Sequence, residues 1–180
     1  MRSPSFGEQL RPWIPALLWM GVIACESTGL FSSDHTAKWL WQIVTSIFGP
    51  VNRHEFQIAH GILRKVGHFA GYGVLSYFFF LGWRGRYRAQ LRHTGDDLRA
   101  ACAAIWRGRW AVFAIVMTIA VASADEFHQG MLPSRTGLFR DVLLDTVGGL
   151  FAQWVVFMAN RPRHKAVVQE IEKVGSRARL

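Results

Sequence analysis

Cysteine is scarce in this sequence, which contains only Cys25 and Cys102 among its 180 residues. One lies in an apolar stretch and the other among arginines, and this argues against a disulfide framework or a thiolate metal site. Acidic residues are also few, with 12 Asp and Glu against 21 Lys and Arg and a formal charge of +9. Internal repeats and low-complexity tracts are absent too. The length and composition fit one basic domain of ordinary size.

The basic residues are clustered rather than spread along the chain. They are dense in residues 84–109 and recur in the tail after Asn160. A nucleic-acid-binding domain would gather such charge on one soluble face, but this reading leaves the apolar stretches unexplained. Hydrophobic residues make up 51% of the chain and lie in four blocks separated by basic segments. This segregation is typical of a membrane protein, and we expect no nucleic-acid partner.

The four apolar blocks predict an all-α integral membrane bundle of four transmembrane helices. The spans are about 13–31, 66–83, 110–129 and 138–159, within one membrane domain of residues 1–160. Crossing the hydrocarbon takes roughly 20 helical residues, so the last two spans must include their carboxylates. The tryptophan-rich segment between the first two spans predicts an outer interfacial helix or, alternatively, a helix packed over the bundle mouth.

The orientation follows from the Lys and Arg residues beside the spans. Segment 84–109 contains seven of them and the tail after Asn160 contains six. The positive-inside rule places both segments in the cytoplasm. We therefore expect a multi-pass protein of the cell (cytoplasmic) membrane, with membrane lipids as partners, both termini cytoplasmic and residues 161–180 forming a basic cytoplasmic tail. The outer segment 32–64 has a weaker positive charge of its own, which partly offsets this bias.

Ionisable and amide side chains interrupt the apolar spans at one predicted level, the outer boundary of the membrane. Charged groups at membrane depth are costly, so they usually face a bundle interior or a wet cavity and mark a functional site. The residues predicted to bind a ligand are Lys65, His68, Tyr72, Asp125, Glu126, Gln129, Arg135, Asp141 and Asp145.

The second span contains a polar ridge, because helical steps of three and four residues nearly complete whole turns. This spacing places Lys65, His68, Tyr72 and Ser76 on one stripe. A single histidine in a membrane helix is often only an interhelical hydrogen-bonding group. The other polar members of the stripe favour a site.

The third span ends in two adjacent acids, Asp125 and Glu126, which cannot share one helix face. We expect one to point into the bundle and the other toward the interface or Arg135. Arg135 lies in the short turn 130–137, where it can pair with a carboxylate or with a phosphate on a ligand.

The fourth span combines acids with small residues. Asp141 and Asp145 are one turn apart and form either part of a site or an ion-pair lattice with Lys65, His68 and Arg140. Gly148 and Gly149 predict close approach of a neighbouring helix.

Taken together, these residues resemble the VanZ-like membrane family over residues 62–152. The fourth span departs from the family pattern at Asp145, where Asn is more frequent. The family is named for a protein associated with low-level teicoplanin resistance, so the resemblance implies a cell-envelope context without implying a teicoplanin role here. The matching segments are Lys65-x-x-His68-Phe69-x-x-Tyr72, Asp125-Glu126-x-x-Gln129, Pro133-x-Arg135, Asp141 and Gly148-Gly149.

The function that these features favour is binding of the polar or phosphorylated head group of a cell-envelope amphiphile at the outer membrane interface. Such a ligand, lipid-linked or otherwise amphiphilic, requires no cofactor and no catalysis. One alternative is a structural partner of an envelope complex.

The other alternative is an intramembrane enzyme acting on a lipid-linked phosphate. Its catalytic candidates are His68, Asp125, Glu126 and Asp141. Asp141 and Asp145 are weak Mg²⁺ candidates under this alternative alone, because Gly137-x-x-x-Asp141-x-x-x-Asp145 is similar to half of the CDP-alcohol phosphotransferase signature. The other half of that signature is missing from the sequence.

Overall fold

Helices are the regular elements throughout the described part of the chain, which confirms the predicted all-α class. The structure is a computed structural model that describes residues 5–28, 33–94, 106–132 and 138–177, with the backbone alone for 33–34, 92–94 and 162–177. The elements are α1 (Phe6–Leu10), a 3₁₀ turn (Arg11–Trp13), α2 (Ile14–Glu26), α3 (Ser33–Phe48), α4 (Arg53–Thr94), α5 (Gly108–Gly130) and α6 (Phe139–Arg177).

Local sequence signals set the boundary between α3 and α4. Gly49 follows the last residue of α3 with a φ of 78°, a left-handed conformation that glycine adopts without steric cost. Asn52 then precedes α4, and its side-chain oxygen accepts a hydrogen bond of 2.9 Å from the backbone N–H of His54. The chain therefore leaves α3 and starts a new helix within a few residues.

Helix α4 is much longer than the predicted span 66–83, since it runs from Arg53 to Thr94. No proline interrupts this stretch, so helix geometry continues through the polar residues on both sides of the apolar part. Helix α6 also continues past the predicted span 138–159 to Arg177, although Pro162 lies within it. Hydrophobicity therefore predicts the apolar part of each helix, but not the residues at which the helix begins and ends.

Helix α4 is central, and its contacts define the directions of its neighbours. His68 lies beside Asp145, and Ser76 beside Gln153, so α4 and α6 run parallel. Tyr72 bonds to Asp125, while Phe80 packs on Trp110 with ring centroids 6.1 Å apart, so α4 and α5 run antiparallel. The 2.8 Å bond from Trp19 Nε1 to the Gly71 carbonyl and the Trp13–Trp83 contact make α2 antiparallel to α4 as well. The direction thus alternates along the chain through α2, α4, α5 and α6.

One end of this bundle is an aromatic cluster. Trp13 meets Trp83 edge-on at 5.2 Å between centroids, and Trp106 meets Phe157 at 4.9 Å. The Arg107 guanidinium lies 4.4 Å from the centroid of the Tyr87 ring. Such T-shaped ring pairs and cation–π contacts fix side chains that also bury large apolar areas.

Glycines let α4 and α6 approach closely at the other end. A Cβ atom on Gly148 would lie 2.2 Å from the Phe69 carbonyl oxygen, and one on Gly73 would lie 3.2 Å from the Gly148 carbonyl oxygen. Real side chains do not tolerate the first distance. The contact of Gly148 with Phe69 therefore sets the separation of the neighbouring residues His68 and Asp145.

Two helices of 23 residues, Gly108–Gly130 and Phe139–Arg161, are long and apolar enough to cross a membrane. They correspond to the predicted third and fourth spans. Helix α2 has only 13 residues, and the 66–83 part of α4 is interrupted by Gly, Ser, Tyr and His. Many large apolar side chains on α5 and α6 are exposed, among them Phe113, Val116, Leu150 and Trp154. These exposed chains suit a lipid environment, while the complete four-span arrangement stays a prediction.

Candidate functional site

Asp125 joins three helices at the end of the bundle opposite the aromatic cluster. Its carboxylate accepts hydrogen bonds from the Ser27 hydroxyl just after α2, from Tyr72 OH of α4 at 2.8 Å and from Gln129 Nε2 of α5 at 3.0 Å. Hydrogen bonds to an ionised carboxylate are stronger than those between neutral groups. Asp125 therefore acts as a structural clamp whose oxygens are already engaged.

Glu126, the residue after Asp125, forms its hydrogen bond with the start of α6 instead of with α2 and α4. Its Oε2 accepts a 2.8 Å hydrogen bond from the backbone N–H of Leu138, which satisfies a free donor at the start of α6. The side chain is buried, and Oε1 has no hydrogen-bond partner within the described residues. The two adjacent acids thus diverge, as expected, and Glu126 is buried against the start of α6. Arg135, its other predicted neighbour, lies outside the described residues.

Asp145 is completely buried on α6, and the nearest basic group is His68 of α4. His68 Nδ1 lies 3.4 Å from Asp145 Oδ1, within ion-pair range but longer than a well-formed hydrogen bond. The imidazole also stacks on the Tyr72 ring, with centroids 6.3 Å apart. His68 therefore stands between Tyr72, which holds Asp125, and the buried carboxylate of Asp145.

His68, Glu126 and Asp145 form what we call the buried cluster. One potential ligand atom from each residue lies within 4.8 Å of those of the other two. This arrangement differs from the pair Asp141 and Asp145, which were weak Mg²⁺ candidates under the enzyme alternative alone. Asp141 is half-buried one turn earlier, and it is not a member of the cluster.

A cavity of about 940 Å³ lies between α2, α3, α4 and the end of α5. Helix α3 contributes an apolar wall that includes Trp39, Leu40 and Ile43. The polar and charged lining residues are Glu26, Ser27, His35, Thr36, His60, Arg64, His68, Tyr72, Asp125 and Gln129. The cavity has the mixed apolar and polar surface that an amphiphile requires.

Helix α3 closes one side of this cavity. Thr36 Oγ1 lies 3.2 Å from His60 Nε2, and Trp41 packs edge-on against Phe56 with centroids 5.0 Å apart. Packing over the mouth of the bundle was one of the two roles predicted for this segment, and these contacts fit it. Its position at a membrane interface stays a prediction.

Sequence reasoning missed His60 and Arg64 of α4. Both line the cavity together with His68, at steps of four residues along one helix face. Burial, together with the charge of Arg64, lowers the pKa of His60, which lies outside the predicted span. A search for polar residues at steps of four, extended before residue 65, would have found both. The polar ridge predicted for the second span begins with Lys65. In the structure Lys65 is exposed, and the neighbouring Arg64 lines the cavity instead.

Ser76, the last member of the predicted ridge, has a packing role. Gln153 Nε2 donates to the Ser76 carbonyl at 3.0 Å and to its hydroxyl at 2.9 Å. These two hydrogen bonds connect α6 to α4 between the buried cluster and the aromatic cluster.

A family model described as VanZ/LLP1 matches residues 13–160. The chain belongs to this family. The resemblance noted in the sequence is therefore confirmed, and the match extends beyond residues 62–152 to include α2 and α3. Comparisons with curated proteins and with solved structures gave no match.

Within this VanZ/LLP1 region, the structure brings most of the predicted site residues together at one end of the bundle. Lys65 is exposed, Asp141 is adjacent to the cluster, and Arg135 lies outside the described residues. The residues that meet are His68, Tyr72, Asp125, Glu126, Gln129 and Asp145.

Proposed function

We propose that this protein binds the polar or phosphorylated head group of a cell-envelope amphiphile in the cavity. The observation that carries the proposal is the row formed by His60, Arg64 and His68 facing an apolar wall from α3. A phosphate and an acyl or prenyl chain are the two chemical features that such a surface complements.

Arg64 is the main candidate for contact with the head group. In the described part of the chain no carboxylate forms a salt bridge with it. A guanidinium group presents a rigid fork of donors that matches phosphate oxygens. The nearby Asp125 accepts hydrogen bonds from Ser27, Tyr72 and Gln129 and forms no salt bridge with Arg64.

The apolar part of the ligand would lie along α3. Trp39 and Ile43 line the cavity and are also 74% and 53% exposed, so this wall reaches the outside of the bundle. A hydrocarbon chain could follow the wall into the bilayer while the head group stays among the polar residues.

The proposed membrane arrangement is a four-span bundle in the cell membrane, with both termini cytoplasmic. The alternating directions of α2, α4, α5 and α6 support it, as does the position of Arg107 and Arg109 near the aromatic end, away from the cavity. The cavity would then open at the outer interface, with α3 as the interfacial helix. A role in glycopeptide resistance would follow only if the ligand is a component of the envelope that such antibiotics act on.

Native mass spectrometry of protein extracted in mild detergent tests the binding proposal. The probes are a polyprenyl phosphate and the matching polyprenol, which lacks the phosphate. We expect the phosphate to bind at least about tenfold more tightly, since charge-assisted hydrogen bonds contribute about 1.5–3 kcal/mol.

The matched variants are Arg64→Ala and Arg53→Ala. Arg53 is exposed on the same helix and does not line the cavity, so its loss should leave binding unchanged. Arg64→Ala should bring phosphate binding down to the level of the polyprenol. Equal binding of the two probes, or full binding by Arg64→Ala, would overturn the proposal.

One observation favours an enzyme as the second candidate. His68 lines the cavity and lies 3.4 Å from Asp145, as in a general acid–base pair. Release of phosphate from a polyprenyl diphosphate by purified protein, lost in His68→Gln, would support this candidate. Complete recovery of intact diphosphate after long incubation would reject it.

A further inference from the structure

The buried cluster contains polar atoms that the protein itself leaves unsatisfied. Both oxygens of Asp145, Oε1 of Glu126 and Nδ1 of His68 have no hydrogen-bond partner within the described residues. Asp145 is 0% exposed and Glu126 is 6% exposed, so bulk water does not reach these carboxylates. Buried polar groups almost always have a partner, and an unpaired buried carboxylate is especially costly.

We propose that His68, Glu126 and Asp145 bind one divalent transition-metal ion, of which Zn²⁺ and Mn²⁺ are the ions to test. One imidazole nitrogen and two carboxylates form a donor set that suits such ions. Each ligand comes from a different helix, namely α4, α5 and α6. A bound ion would therefore connect the three helices from inside the bundle. This inference does not depend on amphiphile binding in the cavity.

The distances fit a metal site that needs only a small closure. Ligands at about 2.0–2.2 Å from an ion are roughly 3–3.5 Å from one another in tetrahedral or octahedral geometry. His68 Nδ1 and Asp145 Oδ1 already have this spacing, at 3.4 Å. The ligand atoms of the whole cluster lie within 4.8 Å of one another, so a closure of about 1–2 Å brings all three to this spacing.

A proton on His68 is the simplest alternative to a metal ion. An imidazolium would pair with Asp145 Oδ1, but Asp145 Oδ2 and Glu126 Oε1 would still lack partners. A single cation at the centre of the cluster would bind one atom from each of His68, Glu126 and Asp145 at once. The neighbouring Asp125 shows the contrast, because it has three protein donors and needs no ion.

Metal binding can be measured on the full-length protein in detergent after removal of metal with a chelator. Equilibrium dialysis against micromolar Zn²⁺ or Mn²⁺, with elemental analysis of the protein, gives the stoichiometry. We expect one ion per chain for at least one of the two metals, together with a higher melting temperature in its presence. Failure of both metals to reach stoichiometric binding would overturn the proposal.

Matched variants separate the buried cluster from adventitious binding to surface histidines. Asp145→Asn and Glu126→Gln keep the size of each side chain, and each should lower metal affinity at least tenfold and abolish the thermal shift. Asp141→Asn, one turn before Asp145, and His54→Gln, at an exposed position, should retain both. If one cluster variant fails to fold, the other decides the question. Retention of the ion by a folded cluster variant would assign it to another site and contradict the proposal.

Discussion

Asp125 and Asp145 lie at the same end of the bundle but in opposite chemical surroundings. Asp125 is partly exposed on the wall of the cavity, and donors from three helices hold its oxygens. Asp145 is fully buried, and its oxygens have no hydrogen-bond donor in the described part of the chain. The carboxylate with the better access to solvent is therefore the satisfied one.

This difference indicates two roles for acids that look alike in the sequence. Asp125 stabilises the bundle, because each of its donors would lose a partner if it were replaced. Burying the Asp145 carboxylate without a bound ligand destabilises the protein, and destabilising buried charges are typical of functional sites. Four substitutions test this comparison, from the most disruptive to the least.

Gly148→Ala should have the largest effect, because it disturbs the contact that places His68 beside Asp145. Its Cβ would lie 2.2 Å from the Phe69 carbonyl oxygen, so α4 and α6 must separate. Forcing extra atoms into a packed core costs about 1–3 kcal/mol and occasionally more, and we expect about 3 kcal/mol here. Thermal unfolding in detergent measures the loss.

Gly61→Ala is the control for this substitution. A Cβ on Gly61 meets nothing within 4 Å, and alanine favours the helix by up to about 1 kcal/mol. The control should be at least as stable as the wild type. Equal stability of Gly148→Ala and the wild type would show that α4 and α6 are not in close contact at this position.

Asp125→Asn should destabilise the protein by about 2 kcal/mol. An amide keeps one acceptor oxygen but turns an NH₂ group toward donors that need an acceptor, such as Ser27 and Tyr72. A lower melting temperature, with the helix content at low temperature unchanged, is the expected result. Wild-type stability of this variant would mean that the clamp does not form.

Tyr72→Phe should cost less, about 1 kcal/mol, because it removes one of the three bonds to Asp125 and keeps the ring that stacks on His68. Tyr77→Phe is the matched control on the same helix, since Tyr77 is 41% exposed. The two variants are compared by their melting temperatures. Equal losses in both would argue against the bond from Tyr72 to Asp125.

Lys65→Ala should have the smallest effect, within about 0.5 kcal/mol of the wild type. Lys65 is exposed and does not line the cavity, although its spacing places it on the predicted polar ridge. Melting temperature and polyprenyl phosphate binding should both remain unchanged. Loss of binding in this variant and not in Arg64→Ala would restore Lys65 as the cation of the ridge.

The sequence predicted the helical class and the meeting of His68, Tyr72, Asp125 and Asp145 at one end of the bundle. These polar residues lie in apolar stretches, where placing a charged group at membrane depth is costly. Such groups therefore usually face the interior of the bundle, where they meet. The close approach at Gly148 was also predictable, since small residues on one face of a membrane helix usually mark a tight helix contact.

Other features depended on rotations and lengths that a sequence pattern does not fix. Whether Arg64 or Lys65 faces the cavity depends on the rotation of α4 by a fraction of a turn. The contact of Ser27 with Asp125 joins positions 98 residues apart, and no local spacing encodes it. Glu126 binds a backbone N–H, a partner that side-chain patterns do not reveal.

The most direct test of the two roles compares Asp125→Asn and Asp145→Asn in metal-free protein by thermal unfolding. Asp145→Asn replaces a buried carboxylate that has no hydrogen-bond donor in the described part of the chain with a neutral group, and the His68 side chain, which is 26% exposed, keeps access to water. We predict that Asp125→Asn lowers the melting temperature and that Asp145→Asn leaves it unchanged or raises it. A fall of similar size in both variants would contradict the distinction between a satisfied clamp and an unsatisfied ligand group.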